Sequence, residues 1–194
     1  MRRNPVTHVP SPLISFSSFQ VIQADISSLS VDAIVNPINS QGLGCFLPNH
    51  RCVDNIIHRR AGPRLRALCK GHLGVKTVKT GEAFGTRGCA LPASYVIHAL
   101  GPIYGGDGRF PDKELAKTYR SAADEALKLG CKTLAFPCIS TGVFGFPKER
   151  ARPLVVAALE AYYPRISIIF ARGKMKIIGA TRLSSSDKKI LGGL

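Results

Sequence analysis

The chain carries six short runs of apolar and β-branched residues, each closed by a polar residue, glycine or proline. "FQVIQAD" (19–25) and "VDAIVNP" (31–37) predict two strands, the second ended by Pro37. "GEAFGTRG" (81–88), "SYVIHALGP" (94–102), "KTLAFPC" (132–138) and "ISIIF" (166–170) predict four more. Between them the period changes to that of a helix. In "VDNIIHRRAG" (53–62), Val53, Ile56 and Ile57 share one face. "PRLRALCKG" (63–71) predicts a short helix with Pro63 at its start and Gly71 after its end. In "DKELAKTYRSAADEALKLG" (112–130), Leu115, Tyr119, Ala122, Ala123, Ala126 and Leu127 form one stripe, and Gly130 stops it. "KERARPLVVAALEAYY" (148–163) predicts a last amphipathic helix. Strands alternating with helices predict an α/β fold: a three-layer α/β/α sandwich around a mixed, mostly parallel sheet.

Two stretches break the alternation. Residues 38–52 are rich in Gly, Asn, Ser and Pro and form a loop long enough to suggest function. "PCISTGVFGFP" (137–147) joins a strand to a helix, the geometry in which backbone N–H groups and a helix N-terminus face a phosphate. Ser140 and Thr141 add hydroxyls there, and Gly142 and Gly145 let a ligand approach the backbone. A plain glycine turn reads the same way. Asn36 and Asn39 stand where a strand ends, at the mouth of an open sheet where ligands bind. Asn suits ribose hydroxyls as donor and acceptor, and it also suits turns. Asp25 ends the first strand; its carboxylate fits an exocyclic amine or the N-cap of the next turn.

The long loop also holds Cys45, His50 and Cys52. Thiolate and imidazole are preferred zinc ligands, and three on one loop with an open fourth position is the catalytic type of zinc site. A buried cysteine pair beside a loop histidine fits the spacing equally. Asp54 follows at the start of the helix, where an ionised acid is favoured and could place a water. His58, one turn on, reads as a structural, hydrogen-bonded residue. Cys69, Cys89, Cys131 and Cys138 show no ligand spacing and read as core or near-core residues.

Composition narrows the classes. In 194 residues there are 27 Lys+Arg against 12 Asp+Glu, a net +15, which favours weak polyanion binding. Residues 165–194 hold seven basic side chains against Asp187 alone. No recognised nucleic-acid-binding motif accompanies the charge. Six cysteines in a chain of this length do not make a disulfide scaffold, so a reducing, intracellular and cytoplasmic setting is expected. No run of 18 apolar residues predicts a membrane span. Residues 1–18 hold Arg2 and Arg3, no acid and three prolines; a disordered segment is expected, with only slight likeness to an organelle-targeting peptide. A monomer is expected.

In order, "ADI", "VDAIVNPIN", "VDNIIHRRAGPRL", "TGEA", "YVIHALGP" and "LAFPCISTGVFGFP" resemble a macrodomain, the ADP-ribose-binding fold, over residues 19–170. Residues 171–194 match that family poorly. Macrodomains usually carry a glycine run before the "VD" of the helix; "GCFLPNHRC" stands here instead and resembles the zinc-dependent ADP-ribosylhydrolases. The resemblance implies zinc at Cys45, His50 and Cys52. It implies adenine at Asp25 and the Ile26 backbone, and distal ribose at Asn39 and, less directly, Asn36. The diphosphate would be wrapped by Ser140, Thr141, Gly142, Val143, Phe144 and Gly145, with Phe144 also packing beside the distal ribose. Asn39 and Asp54 would be catalytic. The implied activity is zinc-dependent removal of mono-ADP-ribose from modified proteins, with a functional link to a sirtuin-type ADP-ribosyltransferase. The other reading is a binding module that holds ADP-ribose without turnover, its zinc a structural staple.

Overall fold

The computed structural model describes residues 14–16, 19–47, 50–106 and 111–173. Its strands are β1 (Ile14–Phe16), β2 (Phe19–Ile22), β3 (Ala33–Pro37), β4 (Ala83–Arg87), β5 (Tyr95–Ala99), β6 (Thr133–Phe136) and β7 (Ser167–Ala171). They form one sheet in the order β1-β2-β7-β6-β3-β5-β4. The five inner strands run parallel, and antiparallel β1 and β4 close the edges. Four helices cover the sheet: α1 (Val53–Ala61), α2 (Pro63–Leu73), α3 (Pro111–Lys128) and α4 (Lys148–Leu159). This is the expected mixed, mostly parallel α/β sandwich.

Burial explains the layers. Ala33, Ile34 and Val35 of β3 are all fully buried, because a central parallel strand is covered on both faces. On one face, Val35, Ile97, Leu134 and Phe136 meet Leu115, Tyr119, Ala122 and Ala126 of α3 and Val155 and Ala158 of α4. On the other, Ile34, Val96 and Ala135 meet Ile57, Ala61 and Leu65 of α1 and α2. Among the described residues, no helix is long and apolar enough to cross a membrane.

Three boundaries differ from the sequence reading. Residues 14–16, expected to be disordered with the rest of 1–18, pair antiparallel with β2 in the register Ile14↔Val21. The outer edge of β2 would otherwise leave a row of unpaired backbone groups. The remainder of that segment, residues 1–13 and 17–18, lies outside the described residues, as do 174–194. Secondly, α2 runs past Gly71 to Leu73 and ends at Gly74, with φ +60°. Nothing lies within 4 Å of the position a Gly71 Cβ would take, so the glycine imposes no turn, and Cys69 and Leu73 carry the buried face across it. Thirdly, α1 is rolled from the expected apolar face. Ile57 is buried, but Val53 and Ile56 are only half-buried, and Asp54, Asn55 and His58 turn inward.

The sheet also has a polar fastening that no motif announces. Asp32, just before β3, accepts from the backbone N–H groups of Lys132 (2.8 Å) and Thr133 (2.9 Å) at the start of β6. Its own N–H donates to Thr133 Oγ1 at 2.8 Å, and that hydroxyl donates back to the carboxylate at 3.0 Å. The bond from the Lys132 N–H is the largest influence holding this carboxyl below its ordinary value. Asp32 is therefore expected to stabilise the fold above the unfolded carboxyl value near ~4, and to lose that contribution as pH falls through its lower folded value. Asp32→Ala should cost about 2 kcal/mol at neutral pH. Denaturant unfolding of both proteins against pH checks this: the gap should be constant at neutral pH and close in acid.

Candidate ligand cleft and metal cluster

The crossover leaving β3 covers one face of the sheet on its way to β5, and the one leaving β6 covers the other on its way to β7. Their adjoining carboxyl ends are a topological switch point, where open α/β sheets bind ligands. Both long loops of the sequence leave the sheet here. Loop 137–147 connects β6 to α4, as expected. Ser140 has φ +64°, a left-handed conformation unusual for a residue with a side chain. Its hydroxyl is buried with no partner in the described structure. A Cβ on Gly101 would lie 2.2 Å from that hydroxyl, so only glycine fits opposite it. The loop is held by Phe146 N–H to Ser140 O (2.9 Å) and Gly145 N–H to Gly142 O (3.0 Å). Tyr104 N–H to Phe144 O, at 2.8 Å, ties it to the segment after β5. Thr141 does not offer its hydroxyl proton to the cleft; it donates to Cys138 O at 3.0 Å. Val143 is exposed at the loop's tip, and Phe144 packs against the cluster of Ile38, Leu73, Val78 and Phe84.

At the other loop, Asn39 builds the turn: its Oδ1 accepts from Gln41 N–H (3.1 Å) and Gly42 N–H (3.2 Å). Asp25 caps the short 3-10 turn Ile26–Ser28 by accepting from Ser27 N–H at 3.0 Å, and its other oxygen lies 3.3 Å from Arg60. That pair is half-exposed and worth little to the fold.

Cys45, His50 and Cys52 do converge. Their ligand atoms lie within 4.8 Å of one another, and Cys45 Sγ is 3.2 Å from His50 Nδ1. The set also fits a cation electrically. Burial works against the Cys45 thiolate, but bonds from His50, the Leu47 backbone and Asn55 hold its thiol below the ordinary value. Cys52 is pushed up to about 11 by burial and by the charge of Cys45 beside it. Two thiols so close cannot both ionise in neutral solution without a positive partner. Cys52 is also the N-cap of α1, accepting from Asn55 N–H at 3.4 Å.

Asp54 begins α1 just below this cluster and is only 6% exposed. Burial raises its carboxyl, and Asn36, Arg66 and the Cys45 backbone N–H pull the other way. Asn36 Nδ2 donates to Asp54 Oδ1 at 2.8 Å. His58 Nε2 is 3.5 Å from the same oxygen. Burial pushes His58 down to about 4, so the contact is not an ion pair at neutral pH. Neither ring nitrogen of His58 has a hydrogen-bond partner in the described structure, contrary to the expected hydrogen-bonded role. Of the four cysteines read as core, Cys69 and Cys131 are buried, Cys89 is half-buried and Cys138 is exposed.

Sequence reasoning missed Arg66, whose guanidinium lies 4.0 Å from the centroid of the exposed Phe46 ring and whose charge reaches Asp54 and His58. It also missed His98. The available signal was a lone histidine in the otherwise apolar strand "YVIHA".

A mostly parallel sheet with a switch point, a glycine-containing loop before a helix and a buried acid at the opposite loop is the arrangement that open α/β folds offer to ligands. Comparison narrows this further. Residues 35–155 match the Macro domain family. A Treponema medium protein named "Protein-ADP-ribose hydrolase" is 43% identical over 72% of this chain and 55% of its own length. A Staphylococcus aureus (strain Mu50 / ATCC 700699) protein of that name is 42% identical over 73% of this chain and 55% of its own. The chain thus spans about half the length of these curated relatives. The Oceanobacillus iheyensis macrodomain solved with ADP superposes with a TM-score of 0.75 at 26% identity, covering 96% of this chain and 95% of that one. The Trypanosoma brucei macrodomain in complex with ADP-ribose gives 0.68 at 34% identity, covering 79% and 63%. The chain belongs to the Macro domain family.

Gly44 tests how tightly loop 38–52 is seated. It has φ +87°, and a Cβ there would meet the His58 ring at 2.7 Å. Gly62 has φ +81° with nothing within 4 Å. Gly62→Ala should cost about 1–3 kcal/mol from backbone conformation alone, and Gly44→Ala about 1–3 kcal/mol more from overpacking. Thermal unfolding of the two variants side by side measures the difference.

Proposed function

We propose that the protein is an ADP-ribosylhydrolase that removes mono-ADP-ribose from modified proteins, and that it uses zinc held by Cys45, His50 and Cys52. The observation that carries the proposal is a buried carboxylate, Asp54, two residues from a convergent Cys-His-Cys set at a switch-point cleft. The printed names of the Treponema and Staphylococcus relatives support ADP-ribose hydrolysis, and the complexes of the neighbours with ADP and ADP-ribose support the ligand. A Fusarium oxysporum f. sp. cubense relative, 44% identical, is named "Probable bifunctional ADP-ribose hydrolase/ADP-ribosyltransferase"; this chain covers 25% of it. That name supports a functional link to a transferase, which we take to be of the sirtuin type.

In this reading, Asp25 and the Ile26 backbone hold adenine, and residues 140–145 receive the diphosphate. The buried Ser140 hydroxyl, with no partner of its own, is a donor ready for a phosphate oxygen. Asn39 aligns the distal ribose, with Phe144 beside it, and Asn36, fully buried and bonded to Asp54, contributes only through that acid. Hydrolysis joins a water oxygen to the anomeric carbon and breaks that carbon's bond to the modified side chain, which departs with a proton. Asp54 accepts a hydrogen bond from that water and fixes its approach, and desolvation makes it a stronger acceptor than a carboxylate in solvent. Bound zinc would supply a Lewis acid that orients a ribose hydroxyl or water, softened by two thiolates.

The test is turnover of a mono-ADP-ribosylated protein, with zinc content measured on each sample. Cys52→Ser keeps an N-cap acceptor for α1 but removes the thiolate; it should lower bound zinc and cut turnover about 100-fold or more. Asp54→Asn should lower turnover about 10²–10⁴-fold with little effect on free ADP-ribose affinity. Full turnover by the Cys45→Ala, Cys52→Ala double variant would overturn zinc dependence. ADP-ribose binding by the wild type without any turnover would make the protein a binding module.

A further inference from the structure

His98 is a fully buried titratable side chain, and nothing in the proposed chemistry uses it. It is fully buried on β5, directly beside Asn36 of β3 in the sheet register Asn36↔His98. Its ring stacks on Phe84 of β4, with centroids 4.8 Å apart and planes 17° from parallel, and Phe84 stacks in turn on His72. The ring is therefore wedged and cannot turn freely.

Its hydrogen bonds fix its tautomer. Asn36 Nδ2 lies 3.3 Å from His98 Nδ1 and 2.8 Å from Asp54 Oδ1. An amide nitrogen only donates, so His98 Nδ1 carries the lone pair and accepts. The ring proton then sits on Nε2, which faces Thr86 Oγ1 at 3.0 Å and Cys69 Sγ at 3.5 Å. Both hydrogens of the Asn36 amide are thus committed, one to each neighbour. Flipping the amide would point its carbonyl oxygen at the Asp54 carboxylate, so the ionised acid fixes the amide's orientation and, through it, the His98 tautomer. Burial pushes His98 down to about 3, so the ring remains neutral and its acceptor stays available at any ordinary pH.

We infer that His98, outside the ligand cleft, is a positioning residue: it clamps the Asn36 amide and so holds the Asp54 carboxylate at the angle from which it addresses the reacting water. This rests on the hydrolase reading for its catalytic consequence, though the clamp itself does not. Thr86 and Cys69 complete the arrangement by anchoring the far side of the ring. The device explains why Asn36, His98 and Thr86 place buried polar groups on three neighbouring strands, where such groups without a task would only cost stability.

Two substitutions separate positioning from packing. His98→Asn sets a carbonyl oxygen where Nδ1 stood and keeps the acceptor for Asn36. His98→Gln reaches the Nε2 end, keeps a partner for Thr86 and loses the Nδ1 acceptor. Turnover of a mono-ADP-ribosylated protein, free ADP-ribose affinity and thermal unfolding are measured for both. His98→Gln should lose about 10–100-fold in kcat with ADP-ribose affinity within about threefold, and His98→Asn should recover most of that loss. Equal losses in both variants, losses that track unfolding temperature, or affinity falling in step with kcat would overturn the proposal. Crystal structures of the two variants read the clamp without turnover. The Asn36–Asp54 bond should persist in His98→Asn and lengthen or break in His98→Gln, and its persistence in both would equally overturn it. A wild type that turns over no modified protein would sink the hydrolase reading, while the structures still decide the clamp.

Discussion

Asp54 is a carboxylate held out of water, and a charge in that position survives only if donors surround it. Each donor comes from a different part of the fold. Asn36 comes from the end of β3, the Cys45 N–H from loop 38–52, and the Arg66 charge from α2. The start of α1 adds its own favourable dipole. To bring these together, β3 must exchange its apolar repeat for asparagine at its fourth residue, and α1 must turn a polar edge toward the sheet. The rolled helix, the glycine at position 44 and the buried histidines all follow from that requirement.

This explains where the sequence was readable. The strands and helices were legible because the inner strands are buried on both faces and the outer helices on one, so composition and period report them directly. Leu115, Tyr119, Ala122, Ala123 and Ala126 of α3 face the sheet as their spacing predicts. The cleft loops were legible because Gly, Asn and Pro cannot extend either period. The orientation of α1 was not, because a hydrophobic stripe ranks Val53 and Ile56 above Asp54 and His58, whereas the site inverts that ranking. His98 was hidden for the opposite reason. Its stabilising partners, Asn36 and Thr86, lie on neighbouring strands, and only the register of the sheet brings them together. The link from Asp32 to Thr133 spans 101 residues and is equally invisible to local reading.

The two loops use their unusual conformations differently. Ser140 spends backbone strain, about 1–3 kcal/mol for a non-glycine residue with positive φ, to leave a hydroxyl buried and unpartnered. Gly44 has no such strain to bear; its missing side chain lets the loop lie flat on the His58 ring. One loop holds a buried hydroxyl without a partner, and the other gains close packing over His58.

Leu43 of loop 38–52 and Phe144 of loop 137–147 rest against the same apolar cluster, formed by Ile38, Cys69, Leu73, Val78, Phe84 and Leu100. Lifting either loop wets part of the surface that seats the other. The two loops are therefore coupled through one hydrophobic pad. The two loops share their footing, and neither can be repacked without disturbing the ground beneath the other.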